Sequence, residues 1–131
     1  MAAVLAVVVS CGKSAEQMLV GSWKVTEATQ SFTVAADTET TELPGYEDYH
    51  YRFDADGLCT VTDRTNEYRY EWFLKDGRVL VLTDYANPAM VYELAELKAE
   101  SMVLAYRYGY VDGPDRHRVD ACQRFALARE H

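Results

Sequence analysis

Residues 66–75 read NEYRYEWFLK. In an extended chain Tyr68, Tyr70, Trp72 and Leu74 share one side, and Glu67, Arg69, Glu71 and Phe73 share the other. Successive side chains of a strand point to opposite faces, so this alternation predicts a strand with one dry face and one largely charged face. The same period recurs outward from this stretch. YEDYHYRF (46–53) sets Tyr49, Tyr51 and Phe53 against Asp48, His50 and Arg52. SMVLAYRYGY (101–110) aligns Met102, Leu104, Tyr106, Tyr108 and Tyr110, and RVDACQRFAL (118–127) aligns Val119, Ala121, Phe125 and Leu127. Shorter runs lie at GSWKVTEA (21–28), GLCTVTD (57–63), RVLVLTD (78–84) and AMVYEL (89–94), with a weaker one at SFTVAA (31–36).

The punctuation agrees with strands. Asp56-Gly57 and Asp76-Gly77 separate alternating runs, and Asp-Gly is a strong short-hairpin signal because glycine adopts positive φ without strain. Asn87-Pro88 and Asp112-Gly113-Pro114 mark further turns. One short helix is expected at SAEQMLV (14–20). Eight or nine strands joined by short links make an antiparallel meander. Closure into an up-and-down β-barrel removes its two edges, and an open two-sheet sandwich is the structural alternative.

The chain opens MAAVLAVVVSCGKS. Ala2–Val9 is too short to span a bilayer, which takes about 20 apolar residues, but has the length of a secretory h-region. Val8-Val9-Ser10-Cys11 resembles a bacterial lipobox: two aliphatic residues, a small one, then cysteine. That resemblance implies cleavage before Cys11, acylation of Cys11 and membrane anchoring by the acyl chains. No Lys or Arg precedes Lys13, so the start of the leader is expected upstream. The expected organisation is a signal peptide over 1–10, the lipidated cysteine, tether and short helix over 11–20, and a barrel domain over 21–131. Gly12-Lys13-Ser14, without Asp after the cysteine, resembles lipoproteins sorted to the outer membrane.

Gly21-Ser22-Trp23, at the end of a short helical segment and the start of the first strand, resembles the G-x-W signature of lipocalins. YRFDADGLCTV (51–61) and YELAELKAESMVLAY (92–106) resemble the hairpins of small bacterial lipocalin-like domains, many of them lipoproteins. The resemblance implies that Gly21 allows a close turn at the barrel floor and that Trp23 plugs it. It also implies an arginine from the last strand stacked on the indole; Arg124 or Arg129 stands in range, and Arg124 is favoured.

Composition narrows the function. The chain of 131 residues carries 21 acidic and 13 basic side chains, a formal net charge of −8. Such a surface argues against nucleic acid, whose phosphates require clustered Lys and Arg. Catalysis finds no support. His50, His117 and His131 lie at no metal-ligand spacing. Asp54-Ala55-Asp56-Gly57 starts like a calcium loop but has Thr65 where the bidentate Glu belongs. Glu67 and Glu71 flank Arg69 on a polar strand face, a solvated charge ladder. No metal, cofactor or catalytic residue is expected. Cys59 and Cys122 are a candidate disulfide or two buried thiols.

Ten tyrosines and two tryptophans are the remaining excess. If the aromatic faces turn inward, Tyr49, Tyr51, Tyr70, Trp72, Tyr106 and Tyr108 line a pocket for a small hydrophobic, partly polar molecule. Alternatively they fill the interior, since eight strands leave a space that side chains can occupy. The expected function is a non-catalytic, monomeric, lipid-anchored protein of the cell envelope that binds a small hydrophobic ligand. The alternative is a solid-cored module that engages another protein through TVAADTETTELPG (33–45) and GYVDGPDRHR (109–118), read as open-end loops.

Overall fold

The computed structural model describes residues 6–7, as backbone only, and 13–131; Cys11 and the rest of the leading segment lie outside the described residues. Strand β1 (Ala6–Val7) is followed by helix α1 (Ala15–Leu19) and strands β2 (Gly21–Val34), β3 (Asp37–Glu42), β4 (His50–Phe53), β5 (Leu58–Thr62), β6 (Glu67–Lys75), β7 (Val79–Thr83), β8 (Met90–Leu97), β9 (Ser101–Asp112) and β10 (His117–Glu130). Eight of them close an antiparallel barrel in the order β2-β4-β5-β6-β7-β8-β9-β10, with β10 returning to β2. β1 makes a two-residue parallel bridge to Glu96–Leu97 of β8. The all-β up-and-down barrel expected from the alternation is the fold, and the open sandwich is not.

The turns form where the Asp-Gly pairs stand. Asp76 and Gly77 both take positive φ, 55° and 69°, between β6 and β7, which matches the twist of the flanking strands. The inward-facing residues fill the barrel. Trp23, Phe53, Cys59, Leu80, Leu82, Leu94, Leu97, Met102, Leu104 and Leu127 are essentially inaccessible to water. Each large apolar side chain so buried contributes about 1.5–3 kcal/mol. Trp72 meets Phe53 edge-on at 5.5 Å.

The floor of the barrel is sealed. Ser14 and Gln17 form a reciprocal capping box on α1, and Met18 and Leu19 are buried beneath the barrel. The Trp23 indole Nε1–H donates to Leu19 O at 2.9 Å. Arg129, rather than the favoured Arg124, stacks on Trp23, with its Cζ 4.3 Å from the ring centroid. The reason is strand parity. Phe125, Leu127 and Arg129 point inward, whereas Arg124 is exposed on the outer face between Ala105 and Thr29. Arg129 also donates through Nε to Ala99 O at 2.7 Å, through Nη1 to Val20 O at 2.9 Å, and through Nη2 to Met18 O. Gly21 has φ +132°, and a Cβ there would run into the Arg129 guanidinium. Glycine is required by both conformation and space.

Three strands are longer than the barrel needs. GSWKVTEA and SFTVAA are one continuous strand, β2, which pairs β4 only over Gly21–Lys24 and β3 over Thr29–Val34. The stretch expected as an open-end loop (33–45) thus contains a strand, β3, reached by a tight turn at Ala35-Ala36. The second expected loop shortens too, since β9 runs to Asp112 and β10 starts at His117. Beyond the barrel rim the order β3-β2-β10-β9 continues as a projecting four-stranded sheet. At about 3.4 Å per residue, the 14-residue β2 is roughly 45 Å long, and it runs from the floor to the tip.

Candidate functional site

The inner face of the barrel runs without a break onto one face of the projecting sheet. On β9 the sequence Leu104, Tyr106, Tyr108, Tyr110 keeps one side, opposite Phe125, Gln123, Ala121 and Val119 of β10. Those lie opposite Ala28, Gln30, Phe32 and Val34 of β2. Where barrel becomes sheet, leucines give way to tyrosines. Same-face residues on a strand repeat every two residues, about 7 Å apart, so adjacent rings can touch.

They form a continuous chain of seven rings. Tyr49 meets Tyr46 at 4.7 Å between centroids, and Tyr46 meets Phe125 edge-on at 4.9 Å. Phe125 meets Tyr92 at 6.2 Å, and Tyr92 meets Tyr106 at 6.3 Å. Tyr106 and Tyr108 lie 5.4 Å apart, Tyr108 and Tyr110 6.3 Å apart and nearly parallel. Exposure differs between the barrel and the projecting sheet. Phe125 is buried, while Tyr106 and Tyr110 leave 39% and 41% of their surface in water. Burial, aided by the Tyr46 phenol, pushes the Tyr92 hydroxyl up to about 12. Beside the chain, Gln123 Nε2 donates to Gln30 Oε1 at 3.0 Å, a polar rung among apolar neighbours.

The expected pocket residues divide between two places. Tyr51 and Trp72 are buried in the barrel core; Trp72 Nε1–H donates to Asp54 O at 2.9 Å, and burial holds the Tyr51 phenol well above its usual range. Tyr49 and Tyr70 are half-buried against that core. Tyr106 and Tyr108 sit outside the barrel on the projecting sheet. Tyr46, Tyr92, Phe125 and Tyr110 complete the ring chain and were not among the expected six. Phe125 and Tyr110 stood on faces already read from the alternation. Tyr46 sits in an irregular loop and carries no periodic signal.

At Tyr46 the ring chain reaches a lateral cleft of about 620 Å³. It opens where β2 has left β4 and has not yet met β3, so the wall there is the 43–49 loop, held by Leu43 N–H to Ala28 O at 2.9 Å and Val25 N–H to Tyr49 O at 3.0 Å. Val25, Ala28, Leu43, Pro44 and Tyr46 form its apolar lining, and Glu27, Glu42 and Glu47 stand at its rim. Glu47 is occupied by its own loop, accepting from the Gly45 and Tyr46 amides at 2.9 and 3.1 Å.

The remaining polar residues are local. His50 Nδ1 lies 2.9 Å from Glu130, His117 Nε2 3.8 Å from Asp115, and His131 Nε2 2.5 Å from Glu100, three separate surface pairs. Glu67 pairs with Arg69 at 2.9 Å, and Glu71 accepts from the Tyr85 hydroxyl at 3.2 Å. Among the described residues, no three His, Cys, Asp or Glu side chains converge to hold a metal. Cys59 and Cys122 are both buried, unbridged thiols. Cys59 faces the interior, and Cys122 sits at an outward position of β10. Comparison of the chain with protein-family models, characterised proteins and solved structures finds no match.

Proposed function

We propose that this protein is a non-catalytic, lipocalin-like binding protein of the cell envelope, lipid-anchored through Cys11, that holds a small hydrophobic, partly polar molecule. The ligand lies along the ring chain and in the adjoining cleft, and not in a deep central calyx. The observation that carries this reading is the continuity of six aromatic rings from a 620 Å³ cleft at Tyr46 to the tip of an exposed sheet. Ligand sites commonly occupy about 300–1,000 Å³ and combine apolar lining with few polar groups. Tyrosines supply apolar faces and hydroxyls together. The filled barrel interior turns the ligand outward, and the rim glutamates favour a neutral or cationic molecule over an anion.

The geometry of a tether supports the same reading. Lys13 lies beside Met18, Val20 and Arg129 at the floor. An anchor two residues earlier holds the floor to the membrane and leaves the tyrosines at the far end of the molecule.

The test is a titration with N-phenyl-1-naphthylamine, a neutral probe that brightens in apolar surroundings. The expected result is saturable brightening that weakens in both Tyr46→Ala and Tyr106→Ala, with poorer binding of the anionic anilinonaphthalene sulfonate. Absence of saturable binding, or binding indifferent to both substitutions, defeats the reading. Incorporation of labelled palmitate, lost in Cys11→Ser, tests the anchor.

A further inference from the structure

We propose that the free edge of β9, Tyr106–Asp112, pairs antiparallel with the same edge of a second copy of this chain. The inference goes beyond ligand binding and departs from the monomer expected from the sequence. β10 covers one side of β9 along Ser101–Asp112, but β8 covers the other side only as far as Ala105. Over these seven residues the strand is paired on one side alone, so the N–H and C=O groups of every second residue point to an uncovered edge among the described residues. Such an edge is a template for another strand.

The two edges of the projecting sheet are unlike. The β3 edge is Asp-Thr-Glu-Thr-Thr-Glu, exposed at every position. Charged edges discourage pairing. The β9 edge holds Tyr106, Tyr108, Gly109, Tyr110 and Val111, with Val111 51% exposed and Arg107 as its one internal charge. Aromatic and β-branched residues are those that strand pairing rewards. One edge is defended and the other is not.

Electrostatics and register select a second copy as the occupant. Two chains of net charge −8 repel overall, but Tyr106–Asp120 contains three arginines (Arg107, Arg116, Arg118) and three aspartates (Asp112, Asp115, Asp120). Arg107 is also paired with Glu93 of β8 at 3.1 Å, so the facing segments carry little net charge and the repulsion is weak where the copies meet. Antiparallel pairing about Gly109 sets Tyr108 across from Tyr110 of the second copy on the ring face, and Tyr106 across from Asp112. On the outer face it sets Arg107 across from Val111. No like charges stand opposite each other. Arg118, which lies over Gly109, brings its own counter-charge, Asp120, at 3.0 Å. The two ring chains become one aromatic face.

The register makes a charge test available. Sedimentation equilibrium of the full chain carrying Cys11→Ser, from micromolar to sub-millimolar concentration, is expected to show a monomer–dimer equilibrium. Val111→Glu places an acid across from Arg107 of the second copy and is expected to tighten it; Val111→Lys sets two cations face to face and loosens it. Two symmetry-related pairs change, so each shift is roughly tenfold. Thr40→Lys, on the β3 edge, leaves the dimer unchanged. A chain monomeric throughout the range overturns the proposal. So does a dimer that ignores both Val111 variants or is broken by Thr40→Lys. A monomer that takes up an unrelated strand peptide along β9 overturns it as well, assigning the edge to a foreign partner.

Discussion

At the floor, Trp23 has no surface in water, its N–H has a carbonyl, and the guanidinium above it donates to three more. At the tip, reached by the same two strands, Phe32, Tyr106 and Tyr110 each leave about two-fifths of their surface exposed. β10 runs through both places with one unbroken alternation, and β2 resumes its own past a bulge near Thr26, so the apolar period does not stop where the barrel stops. At the floor that period is consumed by packing. Beyond the rim it presents rings to solvent, where large apolar patches on soluble proteins mark interaction sites. The contrast separates what holds the molecule together from what it offers to others.

The largest expected effect lies at the floor. Trp23→Ala removes a fully buried ring and is expected to cost about 3–5 kcal/mol in denaturant unfolding; a near-neutral result would mean that the plug is dispensable and the contrast false. Arg129→Ala comes next. It orphans the carbonyls of Met18 and Val20, which are partly shielded from water, and the cost of such loss is about 1–3 kcal/mol. Arg124→Ala, five residues away on the outer face, should stay within about 0.5 kcal/mol. Equal effects of the two arginines would erase the parity argument.

Alkaline pH probes the boundary between the two regions. Cys59 ionises near pH 9 in an unfolded chain and is pushed up to about 12 by burial; Tyr92 moves from about 10 to about 12 for the same reason. A folded chain that keeps its protons longer loses stability as pH rises. Their contributions are whole below pH 9, decline from there as Cys59 ionises in the unfolded chain, fall further above pH 10 as Tyr92 does, and are gone once pH passes about 12. Unfolding midpoints measured at pH 8, 10 and 11 should therefore fall in that order, and Tyr92→Phe should flatten the step above pH 10. The smallest stability effect belongs to the tip. Tyr110→Ala gives up ring contacts at an exposed position and should cost about 0.2–1 kcal/mol, a value to be read from the same denaturant curves.

Much of the architecture was legible in the sequence, and the reasons for the rest are specific. Alternation and Asp-Gly turns identified the strands because each side of a strand faces one environment. Trp23 announced the floor through Gly21. β3 escaped because Thr and acidic residues carry no apolar period; it is a strand by virtue of β2 beside it. β2 read as two strands because a bulge opposite Ala126/Leu127 interrupts the period near Thr26. Arg129 was readable by extending the face of Phe125 and Leu127 by two residues. The ring chain was half legible: β9 displayed its tyrosines, but no pattern in the sequence says where the barrel closes and the same face emerges into water. Tyr46 joins through the conformation of a loop.

The most direct measurement follows individual tyrosines. With 3-fluorotyrosine incorporated and each resonance assigned by substitution, N-phenyl-1-naphthylamine is titrated in while fluorine spectra are recorded. The expected result is movement of Tyr46, Tyr92, Tyr106 and Tyr108 with Tyr51 unmoved. Movement of Tyr51 with the projecting-sheet tyrosines unchanged would put the ligand inside the barrel and contradict the outward-facing site.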